Sequence, residues 1–208
     1  ADVLGRICED QEDILLRIEL FRELSIENTC YENSKSFSSN YGRFLYLNKP
    51  DISPDYHPFD DLKFEVIMMC ALPGTGKDTY ISRNFDLPVL SLDDIRRAHK
   101  IAPTDKKGNG QVIQIGKEKA REFMRKKSPF VFNATNISCD VRSKWISLFL
   151  EYRAKVKIVY LEVPYHKMVT QNRNRQYIVP DKVIEKMRYK LELPNFNEAH
   201  EVEFHVVE

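Results

Sequence analysis

No stretch of this 208-residue chain stays apolar for long. The longest uninterrupted run, Val66 to Leu72, is far shorter than the ~20 residues that a bilayer-spanning helix needs. A membrane-spanning protein is therefore excluded, and no basic-then-apolar leader opens the chain. Cysteine is sparse: Cys8, Cys30, Cys70 and Cys139 lie far apart, with no C-x-x-C pair and no Cys/His cluster. That excludes a structural zinc site or a dithiol redox motif. A disulfide framework would be unusual at this length, so the chain reads as a resident of the reducing cytoplasm, each cysteine a small buried or surface thiol. Met is missing from the first position, which is Ala1, as in a segment of a longer chain.

Hydrophobic residues make up 42% and charged ones 30%, which is too apolar for disorder and enough for a real core. At ~150 residues per domain the length suits one domain with an appended segment. Charge is unevenly spread. Residues 1–61 carry a net −7 and the remainder a net +8. Leu92 to Lys127 alone hold 11 basic and 5 acidic residues. A basic half suits a polyanionic partner through counterion release, though a solvated helical face explains the same charges.

Ile7, Ile14, Leu15, Ile18 and Phe21 recur at helical spacing among carboxylates, which predicts a helix over 5–25. Residues 26–62 are punctuated by Pro50, Pro54 and Pro58 and read as a lead-in with a strand at Phe44–Leu47. Residues 1–62 are therefore expected to form an accessory element packed against a domain at 63–208. From Lys63 onward, apolar runs alternate with amphipathic stretches, as in βαβ units. Strands are predicted at 64–70, 88–91, 129–133 and 155–162. Helices follow at 77–85, 93–100, 109–127, 139–153, 164–174 and 181–190. In the fourth of these, Val141, Trp145, Leu148, Phe149 and Tyr152 share a face, with the Trp as a core anchor. The expected fold class is α/β, a central parallel sheet with helices on both faces.

The sharpest signal follows the first strand: Ala71-Leu72-Pro73-Gly74-Thr75-Gly76-Lys77-Asp78-Thr79, close to G-x-x-x-x-G-K-[ST]. Gly74 and Gly76 let successive N–H groups face one concavity, and the next helix adds the positive end of its dipole. Lys77 can bridge the β- and γ-phosphates of a nucleoside triphosphate, and Thr79 can donate to the α-phosphate. Ala71 replaces the first Gly, which a negative φ would tolerate. Asp78 replaces the hydroxyl that normally touches Mg²⁺; a carboxylate is a hard ligand for that ion, directly or through water.

After the second strand comes Ser91-Leu92-Asp93-Asp94-Ile95-Arg96-Arg97. A carboxylate at a strand's carboxyl end can accept a proton from an attacking hydroxyl, which points to Asp93. Asp93 or Asp94 could equally cap the helix. Arg96, one turn on, suits a phosphate of the acceptor. The third strand ends Asn133-Ala134-Thr135-Asn136 with no acidic residue; these polar side chains suit acceptor phosphate. Arg142 is a weaker candidate for the same task, with a surface arginine as the alternative. Gln171-Asn172-Arg173-Asn174-Arg175-Gln176 fits a lid whose arginines, Arg173 and Arg175, close on the donor phosphates, or else a basic helix end.

The order A-L-P-G-T-G-K-D, S-L-D-D-I-R-R, N-A-T-N, W-I-S-L-F-L-E-Y, L-E-V-P-Y, Q-N-R-N-R and I-V-P-D resembles the kinase domain of 5′-OH polynucleotide kinases over about residues 63–190. It looks most like the kinase module of bacterial HD-domain phosphohydrolase–polynucleotide kinase fusions. No H…HD…D set is present, so phosphatase activity is not expected of this chain. The resemblance implies a P-loop kinase-type three-layer fold with a central parallel sheet and a helical lid, and transfer of a phosphoryl group from ATP or GTP, with Mg²⁺, to 5′-OH ends of RNA or DNA in end healing. It implies Lys77 on the donor phosphates, Asp93 as general base, and Arg96 and Thr135 near the acceptor's first phosphate. Arg175, with Arg173, would act from the lid, and Val179 would lie near the terminal base. An HD domain would accompany the module in the full-length protein. The residues alone leave two other functions open: a P-loop kinase of nucleosides or sugars, and a nucleic-acid-binding module whose nucleotide loop is vestigial.

Overall fold

In chain order the elements are a 3-10 turn at Val3–Gly5, then Gln11–Glu27 (α1), Asn40–Asn48 (α2), Phe64–Cys70 (β1), Lys77–Asn84 (α3), Val89–Ser91 (β2) and Leu92–Ala98 (α4). There follow Lys106–Arg125 (α5), Phe130–Asn133 (β3), Cys139–Glu151 (α6), Ala154–Glu162 (β4), Tyr165–Arg173 (α7), Asp181–Tyr189 (α8) and Glu201–Val206 (β5). The computed structural model describes residues 3–5 and 9–207; Ala1, Ile7 and Cys8, used in the sequence reading, lie outside them.

The five strands form one all-parallel sheet in the order β2-β3-β1-β4-β5. Strand β1 is central because its side chains are apolar on both faces. Val66, Met68 and Cys70 point to one side, against Trp145 and Phe149 of α6 and Met124 of α5. Ile67 and Met69 point to the other, against Ile81 of α3. This alternation is the two-residue period of a strand covered by helices on both sides. The chain leaves β1 for β2, crossing over β3, and returns to the other flank of β1 only at β4. Such a reversal opens a crevice at the carboxyl ends of the strands, where α/β proteins bind ligands. Among the described residues, no helix is long and apolar enough to cross a membrane.

Several expectations are corrected. The strand predicted at Phe44–Leu47 is part of helix α2, started by Ser39, whose hydroxyl accepts from the Gly42 N–H at 2.9 Å. Phe44 and Leu45 are its buried apolar residues, and Phe44 stacks on the His200 ring at 4.5 Å. The division of the chain also moves. One compact unit runs to Ser38 and the other from Ser39 onward, so residues 39–62 belong with the sheet and not with an accessory element. Asn48 and Arg43 of α2 fasten this segment by donating to the carbonyls of Asn197 and His200, each at 2.8 Å. Strand β5 was not expected. In α6 the buried face includes Arg142, fully enclosed, whereas Val141 is 40% exposed.

His200 adds a pH dependence to this packing. It is buried, and its Nδ1 accepts the Val156 N–H at 3.0 Å. Burial pushes its pKa down from 6.5 to about 4, so the folded protein holds it neutral. The unfolded chain takes up this proton as pH falls below ~6.5, and the folded one does not until about 4. Its contribution is therefore whole above that range and is lost on acidification, by roughly 3 kcal/mol across the window. Urea melts should weaken between pH 6.5 and 4.5, before ordinary carboxylates protonate. Midpoints that stay flat to pH 4.5 would contradict this.

Candidate functional site

The loop after β1 is a cradle closed on itself. Gly74 and Gly76 both sit at φ +87°, a left-handed backbone that glycine adopts without strain. A Cβ on Gly74 would lie 2.7 Å from the Met168 carbonyl, so α7 packs directly on the loop. Ala71 is absent from the left-handed residues, which is why the first glycine of the usual pattern is dispensable here. Its N–H donates to the Thr135 carbonyl at 3.0 Å, tying this loop to the one after β3. Thr75 is buried and donates its hydroxyl to the Leu72 carbonyl at 2.9 Å.

Lys77 opens α3 and folds its ammonium back over the loop, 3.4 Å from the Ala71 carbonyl and 3.3 Å from that of Leu72. Burial holds its pKa below the usual range. Asp78 and Asp93 pull it back up, and Arg175 pushes it further down. Three charged groups singled out in sequence, from three separate segments, therefore lie within electrostatic reach of one ammonium. The loop, the start of α3, the end of β4 and one face of α7 enclose a cavity of about 650 Å³.

Asp78 is exposed, and its Oδ1 accepts from Nδ2 of Asn133 at 2.7 Å. The residue ending β3, where a carboxylate was missed in the sequence, thus reaches the carboxylate that the loop helix carries. Thr79 is exposed beside it. At the end of β2 the cap is Ser91, whose hydroxyl accepts from the Asp94 N–H at 3.1 Å. Neither aspartate is spent on capping. Asp93 pairs with Arg96, and 57% of its side chain stays exposed. Arg96 is held from behind, donating its Nε to the Asn109 carboxamide oxygen at 3.0 Å.

The AAA domain family AAA_33 matches residues 66–194. The chain belongs to that family. Its fold is the P-loop kinase type, shared with a candidate kinase from Chloroflexus aurantiacus at a TM-score of 0.56 and 14% identity, over 70% of this chain and 86% of that one. A sugar kinase from a Janibacter species superposes with a TM-score of 0.50 and 13% identity, over 69% and 84%. A chain of the Pnkp1/Rnl/Hen1 complex gives 0.48 at 17% identity; 62% of this chain matches 43% of that one.

Within this AAA domain the remaining candidates divide. Arg175 lines the cavity, together with Gln171 of the same lid stretch and Lys167, which the sequence reading missed. Lys167 and Gln171 are four residues apart on one face of α7, and Arg175 follows just past its end; that spacing was the available signal. Arg173 turns away; it is largely exposed and lies 3.7 Å from Asp181. Val179 packs against Leu72, Met168 and Ile184. The buried Asn172 amide clasps its backbone, donating to its carbonyl at 2.7 Å and accepting its N–H at 3.1 Å. Thr135 is half-buried, behind its carbonyl bond to Ala71.

Arg142 must be corrected outright. Its guanidinium donates to both carboxylate oxygens of Glu198, at 2.6 and 2.9 Å, and to the carbonyls of Asn136 and Glu192, at 3.1 and 2.9 Å. No surface remains for an acceptor.

Proposed function

We propose that this P-loop domain transfers the γ-phosphoryl group of a nucleoside triphosphate to the 5′-hydroxyl end of RNA or DNA. The observation that carries the reading is the cavity on the phosphate loop, lined by Lys77, Asp78, Thr79 and Arg175, with the Asp93 carboxylate near enough to act electrostatically on the Lys77 ammonium. The N–H groups of Gly74, Thr75 and Gly76 cradle the donor's phosphates, with the Thr79 hydroxyl on the α-phosphate. Lys77 exchanges its two carbonyl partners for the β- and γ-oxygens. Arg175 closes from the α7 side, acting as a lid residue; Arg173 would join it only by leaving Asp181. Asp93 orients the 5′-hydroxyl and takes its proton as the oxygen bonds to the γ-phosphorus. The bond from that phosphorus to the β–γ bridging oxygen breaks, and a nucleoside diphosphate leaves. Arg96, braced by Asn109, is placed for the first phosphate of the acceptor, with Thr135 nearby. Most of the rate acceleration is then positioning and electrostatics.

A divalent cation fits the residues present. Asp78 offers an exposed hard oxygen at the cavity, steadied by Asn133, and Mg²⁺ commonly takes one or two carboxylates with phosphates and water. When bound, Mg²⁺ neutralises charge on the β- and γ-phosphates. Removing the carboxylate should weaken metal-assisted binding about 10-fold or more. In Asp78→Ala, a fluorescent nucleotide titrated with Mg²⁺ and with chelator should show nearly equal affinities, whereas the wild-type affinities differ. An unchanged Mg²⁺ dependence would remove Asp78 from this role.

A polynucleotide acceptor is favoured by the net +8 of residues 62–208 and by Arg96 standing beside the base. The test is γ-labelled ATP or GTP offered with 5′-OH and 5′-phosphate oligonucleotides, beside a panel of nucleosides and sugars. Label on the 5′-OH oligonucleotide alone is expected. Label confined to a nucleoside or sugar would establish a small-molecule kinase. Oligonucleotide binding that survives Lys77→Ala, with no transfer by the wild type, would establish a binding module.

A further inference from the structure

Beside the proposed acceptor site stands an aromatic side chain that belongs to none of the motifs. Tyr177 lies between α7 and α8 with 55% of its surface exposed. The guanidinium of Arg97 sits 5.1 Å from its ring centroid. Arg97 follows Asp93 by four residues on α4, so both side chains leave the same face of that helix. Asp94 pairs with the same guanidinium and fixes its direction. The Tyr177 ring is thus held on the side of α4 that carries Asp93, by an arginine that is itself anchored.

Val179, to which the family resemblance gives contact with the terminal base, is poorly suited to it. Its side chain packs into the Leu72, Met168 and Ile184 cluster and its backbone is clasped by Asn172. Tyr177 and its neighbour Ile178 are what this segment exposes instead. An aromatic ring with a guanidinium on one face keeps the other face free for a flat π-system. Such platforms accept any nucleobase, because every base has a stacking face.

We infer that Tyr177, backed by Arg97, is the platform on which the acceptor's terminal nucleobase stacks while its 5′-hydroxyl faces Asp93. The inference rests on the polynucleotide reading and narrows it: the enzyme selects an end that carries a base and is indifferent to which base it is.

The experiment compares two 5′-OH oligonucleotides, one with an ordinary terminal nucleotide and one whose terminal nucleotide is abasic. Wild type, Tyr177→Phe and Tyr177→Ala are assayed on both, with KM and kcat resolved. Wild type should show a KM about 10- to 100-fold higher for the abasic end. Tyr177→Ala should raise the KM of the ordinary end to the abasic level and add no further loss on the abasic end. Tyr177→Phe should restore the difference. A wild type that uses both ends alike, or an equal loss on both in Tyr177→Ala, overturns the inference and leaves the polynucleotide reading standing. A wild type that labels neither oligonucleotide overturns both together.

Discussion

Asp93→Asn should lower phosphoryl transfer by about 10²- to 10⁴-fold, the usual worth of a positioned general base. The change is nearly isosteric, and although Arg96 loses a charged partner the helix keeps its cap: Ser91, not Asp93, caps α4. Donor binding should fall little, because the loop amides, Lys77 and Arg175 are untouched. A modest change in nucleotide affinity is expected from one cause alone. Asp93 helps to keep Lys77 protonated, against the burial that presses its pKa down. Asp78 does the same and remains. The measurements are the transfer rate at saturating donor and a separate nucleotide titration. Full activity in Asp93→Asn would remove the proposed base. Equal loss of rate and nucleotide affinity would place Asp93 in donor binding.

Arg142→Met should destabilise the protein by about 3–5 kcal/mol, the cost of leaving a buried partner charge uncompensated. Glu198 is only 10% exposed and would keep its carboxylate without a cation. The Asn136 and Glu192 carbonyls would lose a shared donor, and with them the joint between the β3 loop, α6 and the segment before β5. Denaturant melts should shift far toward lower concentration, or the variant should fail to fold. Removing both charges, in Arg142→Met with Glu198→Leu, should recover part of the loss, since no buried charge is then orphaned. An arginine serving the acceptor would behave otherwise, raising the acceptor KM with a normal melt.

The contrast between Asp93 and Arg142 shows what the sequence carries. Asp93 is legible as a candidate because its setting is local: a carboxylate just after a strand, with a cation one turn on. Arg142 is not, because its partner is 56 positions away and nothing near it in the chain reveals that pairing. The helix phase was misread for the same reason, with Val141 taken inward because it is apolar. Strands β1 and β3 announce themselves as continuous apolar runs, whereas β5 is an edge strand whose alternating Glu201 and Glu203 look polar. Those carboxylates are matched by Lys155 and Lys157 of β4, with Lys155–Glu201 at 3.3 Å and Lys157–Glu201 at 3.2 Å, a pairing visible only once the strands are side by side. Helix α2 was taken for a strand because Phe44–Leu47 is short and apolar, although Ser39 carried a capping signal. The phosphate loop was read correctly in outline, since two glycines and a lysine between strand and helix leave few alternatives. That Arg175 lines the cavity while Arg173 lies by Asp181 was not readable, because it depends on where α7 ends and on the position of Asp181.

The most direct measurement is a crystal structure with Mg²⁺, a non-hydrolysable ATP analogue and a short 5′-OH oligonucleotide. The γ-phosphate should lie in the Gly74–Lys77 cradle, and the 5′-oxygen should approach the Asp93 carboxylate to about 3 Å. A triphosphate bound away from that cradle, or a 5′-end lodged out of reach of Asp93, would contradict the proposed transfer.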